Sequence, residues 1–228
     1  MFLIRYKHLL SFVILSTLML GAVSCHKGAH VSRTEALPSK FDTLLVIPFK
    51  DMMNIYGENV TVRSPLSGKT FTTGYVAEGA AAFLTEELIA LLKRRNDVRL
   101  ISPDLIQGVW AQLLLESQKE MPELKMIVET GLDLKADAVL VGYIFRFKDR
   151  KGTQYSVDLP ASVAFDVELI SVADRTIIWS RRFNETQQAL TEDLFQFGKF
   201  LKRKGRWITA RDMAVTGLEE LFQTFPVP

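Results

Sequence analysis

Ala138-Val139-Leu140-Val141-Gly142-Tyr143-Ile144-Phe145 is the stretch on which the fold turns, since it is the clearest strand in the chain. A second continuous apolar run, Thr43-Leu44-Leu45-Val46-Ile47-Pro48-Phe49, has the form of a strand buried on both faces. Between these runs, residues 78–95 place Ala80, Leu84, Leu88 and Leu91 on one helical stripe, and 98–101 make a further strand. Ser102 as cap and Pro103 in the first turn start another helix, with Ile106, Val109, Trp110 and Leu113 as its buried stripe. A third helix begins near Pro122, turns Leu124, Ile127 and Val128 inward, and is expected to stop at Gly131.

Downstream, Val163, Phe165, Val167 and Leu169 alternate along one arm of an antiparallel pair. The turn is Ala173-Asp174-Arg175, and Thr176-Ile177-Ile178-Trp179 is the other arm. Two helices follow. The first, 191–202, spaces Leu194, Phe197 and Leu201 helically. The second is opened by Thr209, with Asp212 completing a capping box, and buries Ala214, Leu218, Leu221 and Phe225. The predicted fold is α/β (α+β): a single mixed β-sheet with helices packed against it, a late antiparallel hairpin and two C-terminal helices. Residues 50–78 stand apart as a long polar excursion with a hairpin through Val60-Thr61-Val62 and Phe71-Thr72-Thr73.

Toward the N-terminus, Arg5 and Lys7 precede an uncharged, mostly apolar stretch, and Ala22-Val23-Ser24 lead into Cys25, the one cysteine of the chain. That is the layout of a cleavable secretory signal. The apolar stretch, residues 9–23, is 15 residues long, short of the ~20 a spanning helix needs. Ala22 and Ser24 fit an ordinary secretory cleavage site, but the pattern also resembles a lipobox, which implies cleavage before Cys25 and acylation of its new N-terminus. The domain reading is a lipoprotein signal peptide over 1–24, a lipidated tether over 25–40, and a single periplasmic α/β domain over 41–228. His26, rather than an acidic residue, follows the cysteine; by resemblance to lipoprotein sorting this implies the outer membrane.

Removing residues 1–24 leaves 204 residues with 26 basic and 26 acidic side chains, so the mature chain is formally neutral. A nucleic-acid partner, which asks for a strongly basic domain, is not expected. The three histidines are His8, His26 and His30, so 41–228 contains neither histidine nor cysteine. Ser-His-Asp and Cys-His catalysis, thiol redox chemistry and the common zinc sets are thereby excluded from that region. No metal and no cofactor are expected.

Ser67-Gly68-Lys69-Thr70 suggests a phosphate-binding loop, but the first glycine of that motif is replaced by Arg63, and Pro65 removes an amide that would face phosphate. A surface hairpin tip is the simpler reading, and on it Lys69→Ala changes stability by no more than ~0.5 kcal/mol. Asp158, Asp166 and Glu168 are available for acid–base chemistry, and Asp166 and Glu168 share one strand face. A solvated polar face on an edge hairpin explains them without catalysis. Lys199, Lys202, Arg203, Lys204 and Arg206, followed by Trp207, form the most polarised segment, a candidate contact for an anionic membrane or a partner.

From Phe41 to Trp179 the chain resembles a group of bacterial envelope lipoproteins: the curli-secretion lipoprotein, the lipoprotein activators of penicillin-binding proteins, and the amino-terminal domain of the Tol-system propeller protein. The likeness is carried by Leu44-Leu45-Val46-Ile47-Pro48-Phe49, Val98-Arg99-Leu100-Ile101-Ser102-Pro103, Leu134-Lys135-Ala136-Asp137-Ala138-Val139-Leu140-Val141-Gly142 and the hairpin ending in Ile178-Trp179. The resemblance implies a sheet with helices on it, used to bind envelope proteins, with no catalytic residue to carry over. The expected function is a lipid-anchored, non-enzymatic domain that binds envelope partners for assembly or regulation. A subunit of an outer-membrane secretion pore is the alternative. Its membrane strands of ~9–11 alternating residues are met in 50–78 only by fragments, interrupted at Pro65, Gly68 and Gly74.

Overall fold

Strand β1 (Thr43–Val46) is buried at every position, as its unbroken apolar sequence requires. After it come β2 (Lys50–Asp51), a one-turn helix α1 (Met53–Tyr56), a hairpin of β3 (Thr61–Arg63) and β4 (Thr70–Thr72), and helix α2 (Ala80–Arg95). Strand β5 (Arg99–Ile101) and helix α3 (Glu123–Asp133) lead to β6 (Ala138–Lys148). A small pair, β7 (Lys151–Gly152) with β8 (Val157–Leu159), precedes the long strands β9 (Ser162–Ser171) and β10 (Thr176–Thr186), and α4 (Ala210–Phe222) follows. The computed structural model describes residues 41–106, 108–110, 121–152, 157–187 and 208–226, all inside one compact unit, Leu37–Pro228.

The main sheet has the order β10-β9-β6-β1-β5, with β2 also on β6. β1 is parallel to both β5 and β6, whereas β6–β9 and β9–β10 are antiparallel. Parallel neighbours need crossovers, and helices provide both. α2 runs on one face between β1 and β5, and α3 runs on the other between β5 and β6. Asp137 fastens the start of β1 to the start of β6: its Oδ2 accepts from the Thr43 amide at 2.8 Å, the Thr43 hydroxyl at 2.6 Å and the Asp42 amide at 3.0 Å. These donors, the Thr43 hydroxyl foremost, hold the Asp137 carboxyl below its ordinary pKa.

One face of the sheet is apolar throughout. Leu140, Ile144, Phe165, Val167, Trp179 and Phe183 meet Leu84 and Leu88 of α2 and Met213, Leu218 and Phe222 of α4. On the opposite face Leu45, Val139, Val141 and Phe145 meet Ile127 and Val128 of α3 and the inward side chains of the hairpin, Val62 and Phe71. Phe71 stacks flat on Phe145, with centroids 3.9 Å apart and planes 3° from parallel. A register shift between Ile144 and Arg146 changes the parity of β6, which returns Phe147 to the helix-covered face.

The mixed sheet, its late hairpin and the C-terminal capping box of Thr209 and Asp212 match the sequence expectation. Three details differ. α3 does not stop at Gly131 but continues to Asp133, and Gly131 is buried where a Cβ would come within 2.6 Å of Val172 Cγ2 and 2.9 Å of Val139 Cγ2. The glycine serves close helix–sheet approach rather than termination. Ser102 does not cap backbone amides; its hydroxyl donates to Asp104 Oδ2 at 3.1 Å, and a 3₁₀ turn over Pro103–Leu105 begins the next segment. The second arm of the late hairpin reaches Thr186 rather than Trp179, because its pairing with β9 continues as far as Thr186 opposite Ser162. Leu113 and the helix expected over 191–202 lie outside the described residues.

Candidate functional site

Two places combine chemistry with geometry, and both lie on the face away from α2 and α4. The first joins two motifs that lie about 100 residues apart in sequence. β9 is an inner strand, flanked by β6 and β10, so Asp166 and Glu168 are not on a solvated edge: both are fully buried. The expectation of an exposed polar face fails because the β3–β4 hairpin folds down over it. Ser67, from the hairpin tip, donates to Asp166 Oδ2 at 3.0 Å. Lys69 Nζ donates to Ser180 Oγ on β10 at 2.7 Å, and Ser180 Oγ in turn reaches Glu168 Oε1 at 3.4 Å. Ser67-Gly68-Lys69-Thr70 is a hairpin tip, as read from the sequence, but a docked one.

The electrostatics follow from burial. Loss of water, and then the neighbouring Asp166, push the Glu168 carboxyl up to about 9, so it holds its proton at neutral pH. Burial raises Asp166 as well, opposed by the Ser67 hydrogen bond and by the Lys69 charge. Asp166 Oδ1 and Glu168 Oε2 are buried without a hydrogen-bond partner among the described residues. Lys69 is lowered by burial, against the attraction of the two acids. The arrangement is a closed clasp. Ser67 and Lys69 tie the hairpin to the sheet across it.

The second place is open. A cavity of about 490 Å³ lies beyond the carboxyl ends of β1 and β5, beside Pro48 and Pro103. The carboxyl ends of neighbouring parallel strands are where open α/β sheets make room for ligands. Its wall is Ile47, Phe49, Ile106, Trp110, Ile127 and Val141, and its charged groups are Lys50, Asp104 and Glu123. Glu123, the first residue of α3, is fixed from two sides: Lys50 Nζ at 3.2 Å and the Tyr143 hydroxyl at 3.1 Å both donate to Oε1. Burial and the Glu123 charge hold the Tyr143 phenol far above its ordinary range, so it remains a neutral donor. Trp110 is oriented by its indole N–H, which donates to Thr130 Oγ1 at 3.0 Å.

The residues singled out from sequence fall as follows. Asp166 and Glu168 come together under the hairpin, and Asp158 stands exposed on β8, away from them. Cys25 and the basic segment of Lys199, Lys202, Arg203, Lys204, Arg206 and Trp207 lie outside the described residues. The sequence reading missed the cavity altogether; the signal for it was the paired prolines Pro48 and Pro103, one just past the end of each of two parallel strands. Among the described residues no group of three or more acidic, cysteine or histidine side chains is placed to hold a metal ion. No described helix is long and apolar enough to cross a membrane.

These features define a two-faced α/β domain with a mixed, largely meandering sheet. No known family and no curated protein matches the chain. Among solved structures, the chain is similar to the PelC dodecamer from Paraburkholderia phytofirmans at 13% identity, over 79% of this chain and 86% of that one, with a TM-score of 0.42. It is similar to the LpoB C-terminal domain from Escherichia coli at 20% identity, over 64% and 83%, with a TM-score of 0.39. Lipoprotein GNA1162 from Neisseria meningitidis is similar at 10% identity, over 72% and 93%, with a TM-score of 0.40. Each of these is a similarity at low identity and low TM-score.

Proposed function

We propose that this protein is a lipid-anchored, non-enzymatic domain of the bacterial envelope that binds protein partners, held at the outer membrane through an acylated Cys25. The anchor is supported by the signal layout and by a single cysteine at the position where acylation would use it. The observation that carries partner binding is the distribution of exposed apolar side chains. Of seven large ones among the described residues, four, Ile55, Tyr56, Val60 and Tyr75, come from the excursion around the hairpin. That stretch is held in place: the Thr73 amide donates to Val60 O at 2.9 Å and the Phe147 amide to Tyr75 O at 2.9 Å. Apolar surface with tyrosines on a rigid support is what association surfaces use. The hairpin arms are three residues each, against the ~9–11 of a membrane strand, and this favours a binding role over a pore.

The test uses photo-crosslinking residues placed at Tyr56, at Tyr75 and, as a control, at exposed Lys125, with the full chain expressed in intact cells. Discrete protein adducts from Tyr56 and Tyr75 but not from Lys125 are expected. Equal labelling at all three positions defeats the reading. The anchor is checked separately, by fatty-acid labelling that is lost in Cys25→Ala.

A further inference from the structure

The cavity at the carboxyl ends of β1 and β5 is not needed for the proposed partner surface, and its chemistry is specific enough to name a ligand class. At about 490 Å³ it falls within the ~300–1,000 Å³ of small-molecule sites, and holds the liquid volume of roughly 16 waters. Most of its wall is aliphatic or aromatic, contributed by Ile47, Phe49, Ile106, Trp110, Ile127 and Val141. Water in such a space has few partners, so an apolar body displaces it favourably.

The charges decide what head group that body carries. Lys50, the one cation of the lining among the described residues, is already engaged: its ammonium pairs with Glu123 at 3.2 Å. Glu123 also accepts from Tyr143, so its carboxylate is held in position and does not swing away. Asp104 is different. It is exposed, receives only the Ser102 hydroxyl, and has no ion pair among the described residues. Among the described residues the lining therefore carries one uncompensated negative charge, placed on the proline-initiated turn after β5. An anion entering here meets Asp104 and Glu123 with Lys50 already spent. A cation meets two carboxylates, one of them unpaired.

We infer that this cavity binds a small organic cation, with an apolar body of one or two rings seated between Trp110, Ile127 and Val141 and a protonated amine held by Asp104 and Glu123. Trp110 and Ile106 grip the body; Asp104 supplies the free charge. Glu123, fixed by Tyr143 and Lys50, acts as the second acceptor.

The experiment compares two probes of like shape and opposite charge, 4-phenylbutylamine and 4-phenylbutyrate, by calorimetric titration of the full chain in lipid nanodiscs, with empty nanodiscs subtracted. Saturable binding of the amine at one site, at least tenfold tighter than the butyrate, is expected. Asp104→Asn, a change on an exposed turn, should weaken the amine about tenfold and leave the butyrate unchanged or slightly improved. Met126→Trp, at a half-buried position of the lining, should abolish amine binding by filling the cavity, with an unaltered circular dichroism spectrum as its folding check. Equal affinity for both probes, preference for the butyrate, or amine binding that survives Asp104→Asn at full strength overturns the inference. So does heat no greater than that of empty nanodiscs. None of these outcomes bears on the crosslinking result, so the two proposals fail separately.

Discussion

The two faces of the sheet are closed by different physics. On the α2–α4 face, Phe165 packs edge-on to Phe49 at 6.0 Å and tilted on Phe183 at 5.3 Å, inside a cluster with no buried charge. On the hairpin face, one aromatic stack, Phe71 on Phe145, sits beside a buried acid pair, a lysine and two serines. An apolar layer gains from every atom removed from water and is indifferent to pH. A polar clasp fixes register, since its partners must meet at hydrogen-bond distance, but contributes little net stability and responds to protons. The hairpin is thus held accurately rather than strongly, which suits a segment that carries the exposed tyrosines.

The largest effect that tests this contrast is Phe165→Ala. It opens a cavity in the dry face and should cost about 3–5 kcal/mol in urea unfolding, independent of pH between 5 and 9. A loss under 1 kcal/mol would show that the face is not the main source of stability.

Next comes the pH response of the clasp. Glu168 has a folded pKa of about 9 against an ordinary 4.5, so folding tightens its hold on a proton. Its contribution is complete below the ordinary value and is lost as pH rises toward 9, at no more than about 1.4 kcal/mol per pH unit. Asp137 runs the other way: its lowered pKa gives stability that is present above 3.8 and lost as pH falls. Urea midpoints measured from pH 5 to 9 should therefore decline for the parent. Glu168→Gln, neutral at every pH, should flatten that decline, and a slope unchanged in Glu168→Gln would remove the acid pair as its cause.

The smallest effect is Lys69→Ala. A solvated hairpin tip sets it at ~0.5 kcal/mol or less, but the docked geometry, with Nζ on Ser180, raises it to about 1–2 kcal/mol. A double-mutant cycle with Ser180→Ala should return a coupling near half of that, and additivity would mean that the two side chains do not act together.

What could be read from the sequence was whatever repeats locally. The stripe of Leu84 and Leu88, the capping box of Thr209 with Asp212, and the alternation of Val163 through Leu169 each follow from a period of a few residues, and each stands in the fold. The acid pair could not be read in the same way. Alternation says that Asp166 and Glu168 share a face, but not that a hairpin about 100 residues earlier will cover it. A hint was present in Val62 and Phe71, two apolar side chains on one side of a hairpin otherwise polar, which had to be buried against something. The cavity was harder still, since it depends on β1 lying beside β5, a pairing that no local pattern encodes.

That same placement of β1 has a kinetic side. Thr43 and Asp137, which fasten β1 to β6, are 94 residues apart in sequence, whereas β6, β9 and β10 follow one another as neighbours. The meander closes short loops and is the natural first structure; β1 joins late, after the larger part of the loop-closure entropy has been met. A ribosome delivers β1 first, so Leu44-Leu45-Val46-Ile47 waits, uncovered and rich in strand-forming residues, until the β6 segment has been made. Pro48 interrupts that stretch and Lys50 follows it. In the waiting chain they act as a break against pairing with another copy, so residues at the rim of the mature cavity also guard the chain before it has one.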